Sequence, residues 1–174
     1  RYLDSLNTED FDDPQLTLEL ARAYTKIGDV QGRPYTANLG KSADALDSYQ
    51  KALSLLEGAV RRDAQNFPLH RELVKTLIRL VAVKARLDGE PDAELAEALR
   101  LQTQINGIDG SNPIQNALEL ADVHIARGDH GQIDAAARIA IYTEALDSLM
   151  PFAGQSPEVT HTLTRLNQRL GSNY

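Results

Sequence analysis

Apolar residues recur along most of the chain at intervals of three and four positions, which is the period of an α-helix. Few stretches alternate apolar and polar residues as a half-buried strand does. Prolines stand where several helical patterns begin, a position that tolerates their missing N–H group. The pattern predicts an all-α fold of seven helices, at Pro14–Ile27, Ser42–Arg62, Pro68–Leu87, Pro91–Ile105, Pro113–Gly128, Gln132–Leu149 and Pro157–Leu170.

Glycines indicate where three of these helices end. Gly28 follows the first predicted helix, Gly128 closes the fifth, and Asn106-Gly107 follows the fourth. Glycine is common just past the end of a helix because it adopts the left-handed conformation at little cost.

Residues 1–13 are expected to form a separate lead-in segment, and residues 14–174 a single helical domain.

Two short motifs recur in the same order along the chain. Leu-Glu-Leu-Ala followed by Gly-Asp lies at residues 18–29 and again at 118–129. Tyr-x-x-Ala-Leu lies in the next predicted helix each time, at residues 49–53 and 142–146. A weaker copy begins at Leu73. An internal repeat of this kind indicates stacked helical hairpins.

The residue types of the repeat resemble those of a tetratricopeptide repeat. Small residues let two helices approach closely, and an aromatic ring fills the space beside them. The matching positions are Leu20, Ala21 and Tyr24 in one helix and Ala45, Tyr49 and Ala52 in the next. The resemblance implies an α-solenoid of about three helix-turn-helix units, with the last helix as a cap. The alternative is a generic helical bundle.

A second resemblance rests on the first 65 residues. Residues 28–40 read Gly-Asp-Val-Gln-Gly-Arg-Pro-Tyr-Thr-Ala-Asn-Leu-Gly, and residues 1–6 read Arg-Tyr-Leu-Asp-Ser-Leu. Together these strings are similar to the C-terminal region of certain bacterial serine/threonine protein kinases. In that family a cytoplasmic kinase domain precedes one membrane-spanning helix, and a tetratricopeptide-like region lies beyond the membrane. The resemblance implies a periplasmic sensor or interaction domain in an inner-membrane protein.

Composition limits the chemistry of the chain. The net charge of −7 and the pI near 5.0 argue against nucleic acid or anionic lipid binding across the whole surface. The chain has no cysteine, and it has no apolar run long enough to cross a membrane, so membrane contact would need a segment outside it. It carries no phosphate loop, zinc-protease helix or nucleophile elbow. We therefore expect no catalytic residue, no metal and no cofactor.

Basic residues concentrate between residues 61 and 86. The repeat register places one set of charged residues on the concave side of the helices, where an acidic peptide or a carboxylate terminus would bind. This predicted groove contains Arg22, Lys26, Arg71, Lys75, Arg79 and Asp122. The alternative is a helix face that contacts only solvent.

The loop at residues 28–40 is a second candidate for partner contact, through Tyr35 and Asn38. Its alternative interpretation is a structural Ω-like loop whose polar groups bond one another. His124 occupies the aromatic position of its helix and is expected to be packed rather than to bind a metal.

The leading hypothesis is a non-catalytic sensor or interaction domain that binds a protein or peptide partner, with a homodimer as a further arrangement. The second hypothesis is a cytoplasmic adaptor that uses the same groove. An enzyme would instead need a convergent polar cluster in a pocket.

Overall fold

A computed structural model describes residues 13–34, 36–108 and 112–172 of the chain. These residues form seven α-helices and one 3₁₀ turn, Met150–Phe152, and none of them lies in a strand. The predicted all-α class is therefore confirmed. The helices are α1 Pro14–Gly32, α2 Ser42–Arg62, α3 Phe67–Arg86, α4 Asp92–Ile108, α5 Pro113–His130, α6 Ala135–Leu149 and α7 Pro157–Gly171.

Side-chain caps fix where most of these helices begin. An Asp, Asn or Ser side chain at the N-cap accepts a hydrogen bond from a backbone N–H of the first turn, which has no partner inside the helix. The capping residues are Asp13 for α1, Asn66 for α3, Asn112 for α5, Asp134 for α6 and Ser156 for α7. Asp134 explains why α6 starts at Ala135 and not at the predicted Gln132.

The predicted helix ends at Gly28, Gly128 and Asn106 are wrong. Helix α1 continues to Gly32, α5 continues to His130, and α4 runs on to Ile108. Gly28 and Gly128 lie inside their helices, and at each position a tyrosine ring occupies the space that a Cβ atom would need. At both positions glycine serves close packing and does not terminate the helix.

The chain divides into two compact units, residues 1–89 and residues 90–174. In the described part of the first unit, α2 packs against α1 and α3, and α1 also contacts α3. Tyr49 and Leu56 of α2 are completely buried there, as are Ala21 of α1 and Leu69 of α3. The boundary falls between α3 and α4.

In the second unit each helix packs against the next one along the chain. Helix α4 contacts α5, α5 contacts α6, and α6 contacts α7, which also reaches α5. The core combines residues from three helices, listed here in chain order: Ala117, Ala121 and Ile125, then Tyr142, Ala145 and Leu149, then Val159 and Leu166. Helix α7 therefore buries its apolar stripe against the α5–α6 pair.

Candidate functional site

A partly buried polar contact joins the three helices of the first unit. We call it the first lock; it consists of Gly28, Asp29, Tyr49 and Arg79. The Tyr49 hydroxyl donates a hydrogen bond of 2.8 Å to Oδ1 of Asp29. A Cβ added to Gly28 would lie only 2.6 Å from Cε1 of the Tyr49 ring, so only glycine permits this approach. Burial raises the pKa of Tyr49, and the hydrogen bond and charge of Asp29 raise it further.

Arg79 of α3 forms an ion pair with Asp29 in the first lock. Its Nε lies 3.2 Å from Oδ1 of Asp29, but this buried Nε makes no hydrogen bond, so the contact is an ion pair without donor alignment. Arg33 approaches the other oxygen of Asp29 more loosely, at 3.8 Å. The aspartate is thus held by the tyrosine hydroxyl and by the charge of two arginines.

The same arrangement occurs in the second unit. This second lock consists of Gly128, Asp129, Tyr142 and Arg169. The Tyr142 hydroxyl donates to Oδ1 of Asp129 at 2.6 Å, and a Cβ at Gly128 would meet the Tyr142 ring even more closely than in the first lock. Arg169 of α7 donates to both oxygens of Asp129, at 2.7 Å and 2.5 Å. Arg138 also donates to the carbonyl of Gly128 at 2.9 Å.

The second lock shifts the ionisation of its own members. Burial alone would raise the pKa of Asp129, but the hydrogen bonds from Arg169 and Tyr142 outweigh burial and hold that pKa below its ordinary value. Burial raises the pKa of Tyr142, as does its bond to Asp129. The carboxylate is therefore charged and the phenol neutral at physiological pH. Both groups stabilise the fold and neither is poised for proton transfer.

Further polar pairs join α1 to α3 alongside the first lock. Arg22 donates from Nε to Glu72 at 3.2 Å, and the hydroxyls of Thr25 and Thr76 lie 3.3 Å apart in a buried contact. Residues 22, 25 and 29 thus pair with residues 72, 76 and 79 in increasing order. The two helices therefore run parallel, with a row of polar contacts between them.

The second unit has a corresponding pair of opposite polarity. Asp122 of α5 lies 3.6 Å from Arg165 of α7. The repeat register equates Asp122 with Arg22, whose partner Glu72 is acidic. Each unit therefore links two parallel helices by an ion pair at this position, but the charges are exchanged.

The structure places the six predicted groove residues in different environments. Arg22, Arg79 and Asp122 belong to the interhelix pairs just described. Arg71 is buried, whereas Lys26 and Lys75 are exposed. Five of the six lie in the first unit, and Asp122 lies in the second.

Lys26 and Lys75 lie on the same face of the α1–α3 pair. Lys26 follows Thr25 by one residue, and Lys75 precedes Thr76 by one. The two helices are parallel and touch at these threonines. Both lysines therefore point to one side of the helix pair, and the residues that precede Thr25 and follow Thr76 point to the other side. Those residues include Tyr24, which is buried on the α2 side. We call the side that carries Lys26 and Lys75 the outer face of α1–α3.

The loop between α1 and α2 is held by its own polar groups. The Asn38 amide donates to the carbonyls of Arg33 and Thr36, at 2.7 Å and 2.8 Å, and its oxygen accepts from the N–H of Gly40 at 2.7 Å. The N–H of Leu39 also bonds to the last turn of α1. Asn38 therefore stabilises the loop internally. Tyr35, the other loop residue singled out in the sequence, lies outside the described residues.

The described part of the chain contains no group of three or more His, Asp or Glu side chains that could hold a metal ion. His124 is buried, as expected for a packed residue, and its pKa is lowered by burial and by the nearby Arg127. No described helix combines the length and the apolar character that crossing a membrane requires.

The aspartates and arginines of the locks were not singled out from the sequence as a contact. The Gly-Asp and Tyr motifs recur in the same order, and this recurrence is the sequence signal that indicates the tyrosine–aspartate pairs. The arginines gave no such signal, since Arg79 and Arg169 are 90 residues apart whereas Asp29 and Asp129 are 100 apart.

Comparison with family models, with curated proteins and with solved structures finds no match to this chain. Its function is therefore inferred from its own residues and their arrangement.

Proposed function

We propose that the chain is a non-catalytic sensor or protein-interaction domain built as a tetratricopeptide-like solenoid. In this proposal it forms the extracytoplasmic, periplasmic part of a bacterial serine/threonine protein kinase and binds an acidic protein or peptide. The resemblance of residues 1–65 to that kinase family supports the location and the role. The structure contributes independent support for a repeat scaffold.

The recurrence of the lock is the observation that carries the proposal. Two units that share a glycine, an aspartate, a tyrosine and an arginine in one arrangement are characteristic of a repeated helical building block. Repeat proteins of this kind offer extended surfaces, and many of them bind other proteins. Here the lock groups bond one another inside each unit, which favours a scaffold over a reaction centre.

The outer face of α1–α3 is the surface that best fits an acidic partner. Lys26 and Lys75 are exposed on it. Exposed lysines attract a carboxylate-bearing segment mainly by raising its association rate, and the attraction falls with added salt. Binding there would bias the arrangement of two membrane-anchored chains and so regulate the kinase halves.

The proposed partner surface is tested by reversing its charge. In Lys26→Glu/Lys75→Glu, binding of an acidic peptide library selected on the wild-type domain should fall at least tenfold at low salt. The control Lys41→Glu/Arg61→Glu changes the net charge equally but lies on α2 and its N-cap. Surface plasmon resonance at several salt concentrations measures both variants. Equal binding by the two double variants would rule out this surface.

The kinase assignment has a separate test in the parent gene. Reading the coding sequence upstream of Arg1 should reveal an apolar segment of about 20 residues, preceded by a kinase domain. A polar linker or another soluble domain in that place would instead favour the cytoplasmic adaptor. The charge-reversal experiment remains informative in either case.

A further inference from the structure

A surface cavity of about 510 Å³ lies in the second unit, between α4 and the turn that joins α5 to α6. One wall is formed by residues that lie three or four positions apart on one face of α4, namely Asp92, Leu95, Leu99 and Thr103. The other wall comes from Ile133 and from residues of α5 and α6. We call this cavity the α4 trough. None of its lining residues belongs to either lock.

The walls of the α4 trough are mainly apolar. Leu95, Ala96 and Leu99 line it from α4, and Ile133 and Ile141 face them from the other side. Leu95 and Ile141 are buried within the fold, whereas Ala96 is exposed and lies at the opening. A cavity of several hundred cubic ångströms with apolar walls and a few polar groups is typical of a small-molecule site.

Two arginines border the α4 trough, and they differ in their partners. Arg100 donates to both oxygens of Glu97, at 2.8 Å and 2.7 Å, so its charge is already matched. Arg127 has a different neighbour, since its Nη1 lies 3.4 Å from Nδ1 of His124. The lowered pKa of His124 keeps that imidazole neutral near pH 7, with Nδ1 as the acceptor. Glu144, 3.8 Å from the same Nδ1, is the acidic group facing this histidine.

Arg127 is unusual among the arginines of its unit. Arg138 binds a backbone carbonyl, Arg165 and Arg169 pair with aspartates, and Arg100 pairs with Glu97. Within the described residues, the contact found for Arg127 is an imidazole nitrogen rather than a carboxylate or a carbonyl. Arg127 thus lines an apolar cavity, without a carboxylate contact of its own in the part of the chain that the structure describes, in a unit where acidic residues outnumber basic ones.

We propose that the α4 trough binds a small monocarboxylate with an apolar body, whose carboxylate pairs with Arg127 and whose body lies against Leu99 and Ile133. The neutral His124 holds the guanidinium in place without compensating its charge. Asp92, at the end of the trough, accepts from the backbone N–H of Gln132 at 3.2 Å and so links α4 to the α5–α6 turn. This proposal goes beyond partner binding on α1–α3 and does not depend on it.

The test is a titration of the purified chain with octanoate, octanol and octylamine, followed by isothermal calorimetry and by backbone amide shifts. Octanoate should bind at least tenfold more tightly than octanol, since a hydrogen bond to a charged group is worth roughly a factor of ten to a hundred. Octylamine should bind weakest, and the largest shifts should lie in α4 and the α5–α6 turn.

Variants distinguish the α4 trough from nonspecific binding. Arg127→Gln should reduce octanoate affinity to that of octanol and leave octanol unchanged. Ala96→Phe fills the opening from an exposed position and should abolish binding of both compounds. Arg165→Gln, outside the trough, is the matched control and should bind as wild type. Equal binding of octanoate and octanol, unaltered binding by Ala96→Phe, or no saturable binding of octanoate would each overturn the proposal.

Discussion

The first and second locks both pack a tyrosine ring against a helix glycine, but the arginine contacts the aspartate differently in each. Arg169 donates to both oxygens of Asp129, whereas Arg79 approaches one oxygen of Asp29 at 3.2 Å without a hydrogen bond. A bidentate pair is stronger and more directional than an unaligned ion pair. The comparison shows that close helix packing and the tyrosine–aspartate bond define the lock, while the strength of the arginine contact varies.

The largest expected effect comes from adding a methyl group at the lock glycines. Gly28→Ala and Gly128→Ala should each destabilise the chain by about 3 kcal/mol, the upper part of the range for overpacking, because the tyrosine ring must move and its hydroxyl loses the aspartate. Urea unfolding followed by circular dichroism measures the change.

Gly58→Ala is the matched control for these two variants. Gly58 also lies within a helix, α2, but the nearest atom to an added Cβ is the end of the Arg62 side chain, at 3.6 Å. Alanine there should stabilise the helix by about 0.5–1 kcal/mol, its usual advantage over glycine. If the lock variants also gained stability, glycine would not be required for the tyrosine packing.

The arginines should rank in the order of their geometry. Arg169→Met should cost about 1.5 kcal/mol, within the range for a hydrogen bond to a charged group, and Arg79→Met should cost less than half of that. Both side chains are about a quarter exposed, 28% for Arg169 and 25% for Arg79, so solvent screens the two pairs to a similar degree. Chemical unfolding of the two variants gives the ranking, and an equal or reversed order would contradict the comparison.

A smaller effect is expected in acid. The folded-state pKa of Asp129 lies below its unfolded value of about 3.9, so its stabilisation is present above about pH 4 and is lost as the pH falls through the folded pKa. Asp129→Asn should therefore be less stable than wild type at pH 7, and its stability should fall less steeply between pH 5 and pH 3. Unfolding curves across that range measure the slope, and identical slopes would exclude a contribution from Asp129.

Much of the fold follows from the sequence because it depends on local rules. Helical periodicity predicted seven helices, and Pro14 and Pro157 indicated where α1 and α7 begin. The C-terminal ends of the helices were harder to predict, because from sequence alone a glycine that follows an apolar stripe indicates the end of a helix. Glycine is required at positions 28 and 128 because a tyrosine ring from the following helix packs there, and no local sequence rule contains that contact.

The candidate sites depend even more on tertiary contacts. The repeat register relates Arg22 to Asp122 by position, but their partners Glu72 and Arg165 come from a later helix. The α4 trough likewise depends on Ile133, which lies in a turn whose position the helical pattern does not specify. The helical pattern therefore does not predict which side chains pair between helices.

The most direct test of the duplicated lock is a double-mutant cycle on its tyrosine–aspartate pair, run in both units. The free energy of unfolding is measured for Tyr49→Phe, Asp29→Ala and their combination, and likewise for Tyr142→Phe, Asp129→Ala and theirs. A partly buried hydrogen bond of 2.8 Å or 2.6 Å to a charged group predicts a coupling of at least about 1 kcal/mol in each unit. Additive effects, within about 0.3 kcal/mol in either unit, would contradict it.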